Sequence, residues 1–247
     1  MVRCLGVIVL TITLALAAGV ALADTITFDY RSGISDTMLA SMHPDHSYGS
    51  YRYLVQYNRA LRPIHHHHHH YRHYGEIQTL IRFDNIFGSG ADQIPLGSSI
   101  QSATLRLYFY NGSREERSLH RMTRYWDESD TWNSMGKGVQ LGSEAVATAD
   151  ATFTPLGSGW YGVDVTRSLQ AWADGQNNYG WVLLASLGRD YSAVFSSEYR
   201  RFNLRPILEV TYTSPAAAAP EPGTLLMVGS ALGFGALWRR RRRAAAA

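Results

Sequence analysis

The 247-residue sequence contains one cysteine, Cys4, and one lysine, Lys137, and only 17% of its residues are charged. The cysteine falls in the N-terminal apolar stretch, so the rest of the chain holds no thiol. That excludes a disulfide framework, a cysteine-bound zinc and a cysteine nucleophile from the body of the protein. A strong charge of either sign is missing too. The formal net charge is +3, but six of the 23 Lys+Arg are Arg3 and Arg239 to Arg243, which leaves 17 basic residues between 24 and 219. The same interval holds 19 of the 20 acids, Glu221 being the exception. A body this close to neutrality carries no electrostatic footprint for nucleic acid. No Gly-x-Ser-x-Gly, His-Glu-x-x-His or phosphate-loop pattern occurs in the sequence, which removes the commonest catalytic signatures. What is present is 45% hydrophobic and 12% aromatic, enough for a sizeable core and too much for wholesale disorder.

Both ends of the chain read as addresses. Arg3, the apolar run Leu5 to Ala18 and the small-x-small pattern Ala21-Leu22-Ala23 predict a secretory signal over residues 1–23, cut before Asp24. Residues 215–222 form a linker ending in Pro220-Glu221-Pro222, followed by an apolar stretch at 223–238 and an Arg-rich tail at 239–247. As a helix, that stretch spans roughly 24 Å, short for a bilayer but able to act as a transient membrane stop. The arginines would keep the C-terminus cytoplasmic and the body outside. The three-part tail resembles the PEP-CTERM sorting signal of Gram-negative bacteria, with Pro220, Glu221 and Pro222 as its motif. The resemblance implies handling by an exosortase and delivery to the outer surface or the extracellular polysaccharide matrix.

Between these ends, over 24–214, the apolar pattern has period two. Ala103, Leu105, Leu107 and Phe109 alternate with Thr104, Arg106, Tyr108 and Tyr110, and Leu208, Val210 and Tyr212 with Glu209, Thr211 and Thr213. Thr79, Ile81 and Phe83 alternate less cleanly. Further strands are predicted at 25–30, 37–41, 53–57, 118–125, 181–186 and 192–197, punctuated by Gly, Asn, Pro and Asp. One short helix is predicted, capped by Thr166, carrying Leu169 and Trp172 on one face and stopped at Gly175. This pattern predicts an all-β fold, a single antiparallel β-sandwich of jelly-roll type with one short helix. The signal segment and the apolar tail would add a helix at each end.

An ordered set of short motifs accompanies this pattern. It runs through Asp36-Thr37, Tyr48-Gly49, Leu80 to Asp84, Ile94 to Gly97, Ile100 to Tyr108, Trp126-Asp127-Glu128 and Thr131-Trp132-Asn133. It continues with Asp164-Val165-Thr166, Gln170-Ala171-Trp172, Asn178 to Trp181, Ser197-Glu198-Tyr199 and Arg205-Pro206. In this the body, over roughly residues 30–213, resembles the DNRLRE domain, which is related to the disaggregatase repeat and to carbohydrate-binding module family 96. The resemblance implies a β-sandwich that binds polysaccharide, alginate-like acidic glycans among the ligand classes. The segment around Pro63 to His73 departs from the family pattern.

Sugar-binding surfaces stack aromatic rings on pyranose faces and orient them with a few polar groups. Trp126, Trp132, Trp172 and Trp181 read as core or corner residues. Trp160 and Tyr179 have Gly- and Asn-rich flanks that suggest loops, and they are the aromatic candidates. Arg106 and Tyr108 share the polar face of their strand, and an arginine fork suits the carboxylate of a uronic acid.

The run His65, His66, His67, His68, His69, His70, with His73, lies in a His-rich loop at 63–73 and would take Zn²⁺ or Ni²⁺ opportunistically. Asp127, Glu128 and Asp130 crowd one turn, too close together to face each other across a cleft as glycosidase carboxylates must. They read as turn caps or as part of a structural Ca²⁺ loop without complete calcium-loop spacing. The sequence thus points to an exported, non-catalytic polysaccharide-binding matrix protein that needs no cofactor. A metal-binding surface protein working through the His loop and a structural adhesin are the rivals.

Overall fold

The computed structural model describes residues 22–58 and 75–215. The expected signal segment up to Ala21, the His-rich loop and the whole sorting tail lie outside them. Among the described residues no helix is long and apolar enough to cross a membrane.

The strongest sequence alternation gives the longest strand, β5, Ser99–Asn111, whose buried positions are Ile100, Ala103, Leu105, Leu107 and Phe109. Every other strand is placed relative to it or to β4, Glu76–Phe83. In chain order they are β1, Ala23–Phe28; β2, Ile34–Ala40; β3, Tyr53–Asn58; β6, Arg117–Arg121; β7, Ala151–Phe153; β8, Gly159–Asp164; β9, Trp181–Ala185; β10, Ser192–Phe195; and β11, Ile207–Thr213. All pairings between these strands are antiparallel.

Along one side of β5 lies β11, then β10; along the other lies β8. β3 pairs with β10 and, through Tyr57↔Ile77 and Asn58↔Glu76, with β4. β4 carries β2 on one side and β9 on the other, followed by β6 and β7. The all-β expectation with one short helix therefore holds. The two faces of the expected sandwich do pack across a core, but they are continuous: β3 joins them into one curled sheet, open like half a barrel.

Inside the curl, Leu54, Ile81, Phe83, Leu105, Leu107, Phe109, Val194, Leu208 and Val210 form the main core. The weak alternation of β4 has a physical cause. Its opposite face is covered too, because Leu80 packs with Leu39, Trp126, Met135 and Val182 beneath the long segment between β6 and β7. A strand buried on both faces reads as a continuous apolar run.

The helix α1, Thr166–Ala173, seats Leu169, Trp172 and Ala173 in the core, and Trp172 meets Trp181 at 4.7 Å between ring centroids. Thr166 does not cap it: the N-cap position is Val165, with no side-chain bond. The Thr166 hydroxyl instead donates to Asp164 Oδ1 (2.6 Å) and accepts the Ala103 N–H (2.9 Å), tying helix to strand. Gly175, at φ +100°, closes the helix end as expected, its N–H reaching the Trp172 carbonyl.

One polar chain crosses the interior. Buried Arg117 donates from Nε to Ser192 Oγ (2.7 Å), which donates to Gln56 Oε1 (2.8 Å), and Gln56 Nε2 donates to Thr79 Oγ1 (2.8 Å). It links β6, β10, β3 and β4.

Candidate binding surface

The outward residues of β5 are Thr104, Arg106, Tyr108 and Tyr110, because the intervening ones fill the core. The antiparallel register of β8 sets Trp160 opposite Tyr108 and Gly162 opposite Arg106. Tyr108 and Trp160 meet edge to face at 5.5 Å, an arrangement that aromatic quadrupoles favour. Gly162 offers no side chain against Arg106, whose guanidinium lies 5.3 Å over the Trp160 ring.

Across the other edge, β10 places Phe195 between the two tyrosines of β5. It stacks on Tyr108 (5.4 Å, 12° between planes) and on Tyr110 (5.5 Å, 18°). Tyr199, just beyond β10, lies against Phe195, and Tyr53 of β3 completes the group at 4.8 Å from Tyr110. Phe195 and Tyr199 are buried, whereas Tyr53 and Tyr110 are exposed and Tyr108 and Trp160 half-buried. The result is a ring-lined outer face on β3, β10, β5 and β8.

The chemistry of this face is that of stacking with hydroxyl donors. Burial, then the neighbouring Tyr191 and Tyr53, raise the Tyr110 phenol, so it stays a neutral donor. Arg106 already pairs with a carboxylate of the chain itself: its Nη1 donates to Glu209 Oε1 at 2.9 Å.

Three of the four sequence-derived candidates, Trp160, Arg106 and Tyr108, therefore meet on one face. Trp160 lies on a strand, not in a loop. Tyr179 is elsewhere. It packs against the second core cluster, its carbonyl accepts the Trp126 Nε1–H at 2.7 Å, and its ring meets Tyr125 edge-on at 6.1 Å. These two tyrosines line a shallow hollow with Arg82, Asp84 and Asn178. Trp126, Trp172 and Trp181 are core residues, as their pattern predicts, and Trp132 packs partly buried against the second cluster. Tyr53, Phe195 and Tyr199 complete the aromatic face without any sequence signal, whereas Tyr110 shares the polar face of β5 with Arg106 and Tyr108, as its alternation predicts.

Of the three acids on the turn after Trp126, two serve the turn. Asp127 accepts the Ser129 N–H at 2.8 Å, and Asp130 accepts the Asp127 N–H at 2.9 Å and the Ser134 hydroxyl at 2.6 Å. Glu128 turns inward and accepts the Asp36 N–H at 3.1 Å. Among the described residues no three His, Cys, Asp or Glu side chains are gathered in metal-ligand geometry. His65 to His70, His73, Ala21 and Pro220 to Pro222 lie outside the described residues, whereas Ala23 opens β1.

The profile of carbohydrate-binding module family 96 matches residues 27–212. A search of curated proteins found no match.

Proposed function

Since the chain belongs to carbohydrate-binding module family 96, we propose that it binds polysaccharide on the aromatic outer face of β3, β10, β5 and β8. The observation that carries this reading is the unbroken set of rings from Trp160 through Tyr108, Phe195 and Tyr110 to Tyr53. Such a face gains affinity by covering the apolar faces of successive sugar rings, with tyrosine hydroxyls as orienting donors. Because Glu209 occupies Arg106, face stacking is the main source of affinity and capture of a uronic carboxylate is secondary.

The module acts without catalysis, and the protein is an exported component of the extracellular polysaccharide matrix or the outer surface. What supports export is the signal-like sequence at 1–23. Sorting by an exosortase, with transient membrane residence of 223–238, is supported by Pro220-Glu221-Pro222 and the following apolar and arginine segments. In that setting the module would organise biofilm material.

Affinity electrophoresis of the full-length protein in gels containing alginate or neutral glucans tests the binding reading. Retardation is expected with at least one polymer, lost in Trp160→Ala and Tyr110→Ala and kept in Tyr179→Ala. Loss in Tyr179→Ala alone would move the site to the hollow beside Tyr125, and no retardation by any polymer would overturn the reading.

A further inference from the structure

Asp36 on β2 is completely buried and lies within hydrogen-bonding reach of the Glu198 carboxyl, which stands in the turn after β10. Each carboxyl spends one oxygen on a protein donor. Asp36 Oδ2 accepts the Ser197 N–H at 2.7 Å, and Glu198 Oε1 accepts the Ser197 hydroxyl at 2.6 Å. The remaining oxygens, Asp36 Oδ1 and Glu198 Oε2, are buried and accept from no N–H or hydroxyl among the described residues; the two carboxyls face only each other. Buried polar atoms are nearly always satisfied, and an unpaired carboxylate oxygen is among the costliest to leave bare.

The charge balance around the pair is equally lopsided. Glu128 comes in from a third element and feels both Glu198 and Asp84. The nearby cation, Arg82, is already engaged, donating to Asp84 Oδ1 (2.6 Å), the Trp126 carbonyl (2.7 Å) and Ser35 Oγ (3.4 Å). Asp36, Glu128 and Glu198 thus gather negative charge, and the cation that acts on them among the described residues, Arg82, is already engaged. One proton shared by Asp36 and Glu198 would leave two of those three charges facing only that engaged cation; a divalent cation would offset them.

We propose that Asp36 Oδ1 and Glu198 Oε2 bind a calcium ion that pins the edge strand β2 to the turn after β10. The donors are oxygens only, which selects a hard cation over zinc or nickel. They come from two separate elements, and calcium's flexible sphere of six to eight oxygens accommodates such a pair more readily than magnesium's octahedron. Two carboxylates are enough, because calcium fills its sphere with carbonyls and water. Glu128 acts from outside, holding β2 through the Asp36 N–H and adding charge. Its position is fixed by close packing on Gly49, where a side chain would strike the Glu128 backbone. Glu198 adjoins Tyr199 of the aromatic face in sequence, but the calcium site rests on the two carboxylate oxygens and not on polysaccharide binding.

The test is calorimetric titration of the full-length protein with Ca²⁺ after chelation and dialysis, paired with thermal melts in Ca²⁺, Mg²⁺ or chelator. One Ca²⁺ per chain is expected, with a melting temperature raised by about 5–10 °C at saturating Ca²⁺. Mg²⁺ should give a smaller shift, and Glu198→Gln should abolish the uptake. Glu198 is only partly buried, so this variant keeps the fold where Asp36→Asn would threaten it, and titration of the unsubstituted protein needs no variant at all. No uptake at millimolar Ca²⁺ and melts indifferent to chelator would overturn the site and leave a proton-sharing pair. Uptake that persists in Glu198→Gln would overturn it equally.

Discussion

Phe195 and Tyr199 lie face to face, their ring centroids 3.7 Å apart and their planes 9° from parallel. Both are nearly buried, so the pair is the floor of the aromatic face and not its contact layer. Tyr108 and Tyr110 lean on that floor from β5. Phe195→Leu should keep the fold, at a cost of about 1–2 kcal/mol by urea denaturation. Polysaccharide binding should weaken about two- to tenfold, the worth of a lost aromatic pair. Unchanged retardation in a well-folded variant would show that the tyrosines need no such support.

The pairing of Arg106 with Glu209 makes a prediction about ligand charge. Both side chains are well exposed, so Glu209→Gln should alter stability by less than about 1 kcal/mol. It frees a guanidinium beside Trp160. Retardation by alginate should therefore increase relative to neutral glucan, and the gain should vanish in high salt. Equal effects on both polymers would place Arg106 outside the contact.

The interior polar chain from Arg117 to Thr79 is satisfied at each link described above, and Ser192 is its hinge. Ser192→Ala strands Arg117 Nε and Gln56 Oε1 without partners. The expected loss is about 1–3 kcal/mol, read from the urea midpoint. A smaller loss would mean that the two neighbours re-pair directly.

Asp164 holds the start of α1, accepting from both the N–H (2.9 Å) and the hydroxyl (2.6 Å) of Thr166. Those bonds, the hydroxyl's foremost, keep its carboxyl below the ordinary aspartate value. A group whose pKa falls on folding stabilises the folded state above its unfolded pKa and loses that contribution as pH drops through the folded one. Stability should thus decline below about pH 4, and Asp164→Asn should remove that part of the decline. At pH 7, Asp164→Ala should cost about 1 kcal/mol because the site is exposed. Parallel pH profiles for the unsubstituted protein and Asp164→Asn would contradict this assignment.

Much of the fold was legible because one face of a strand declares itself by alternation. Ala103 to Phe109 announced both the core side of β5 and the outward placement of Arg106 and Tyr108. Alternation is silent about which strands lie side by side. The pairing of Trp160 with Tyr108 is a register fact, and Phe195 and Tyr53 reach the same face from positions far away in sequence. Gly159 and Gly162 made β8 look like a loop; six cross-strand partners along β5 override that weak local preference. Tyr179 carries a similar flank but serves the layer over β4 and β9, because Trp126 claims its carbonyl. Nor does local pattern reveal that the two halves of the sheet are joined, since among the described residues β3 meets β4 through Tyr57↔Ile77 and Asn58↔Glu76.

The place of β11 has a mechanical consequence. Thr213 is paired with Ala23 on one side and with Ser99 on the other, at the end of β5 remote from Tyr108 and Tyr110. A pull between residues 22 and 214 therefore peels β1 from β11 one pair at a time, as a zip opens. A pull between residue 214 and the aromatic face acts instead along β11 and β5 in opposite directions. Ladder bonds run across the strands, so all seven pairs from Ile207↔Arg106 to Thr213↔Ser99 resist together in shear. The same sheet is thus soft when drawn apart by its own two ends and stiff when drawn between its C-terminal edge and whatever its rings hold.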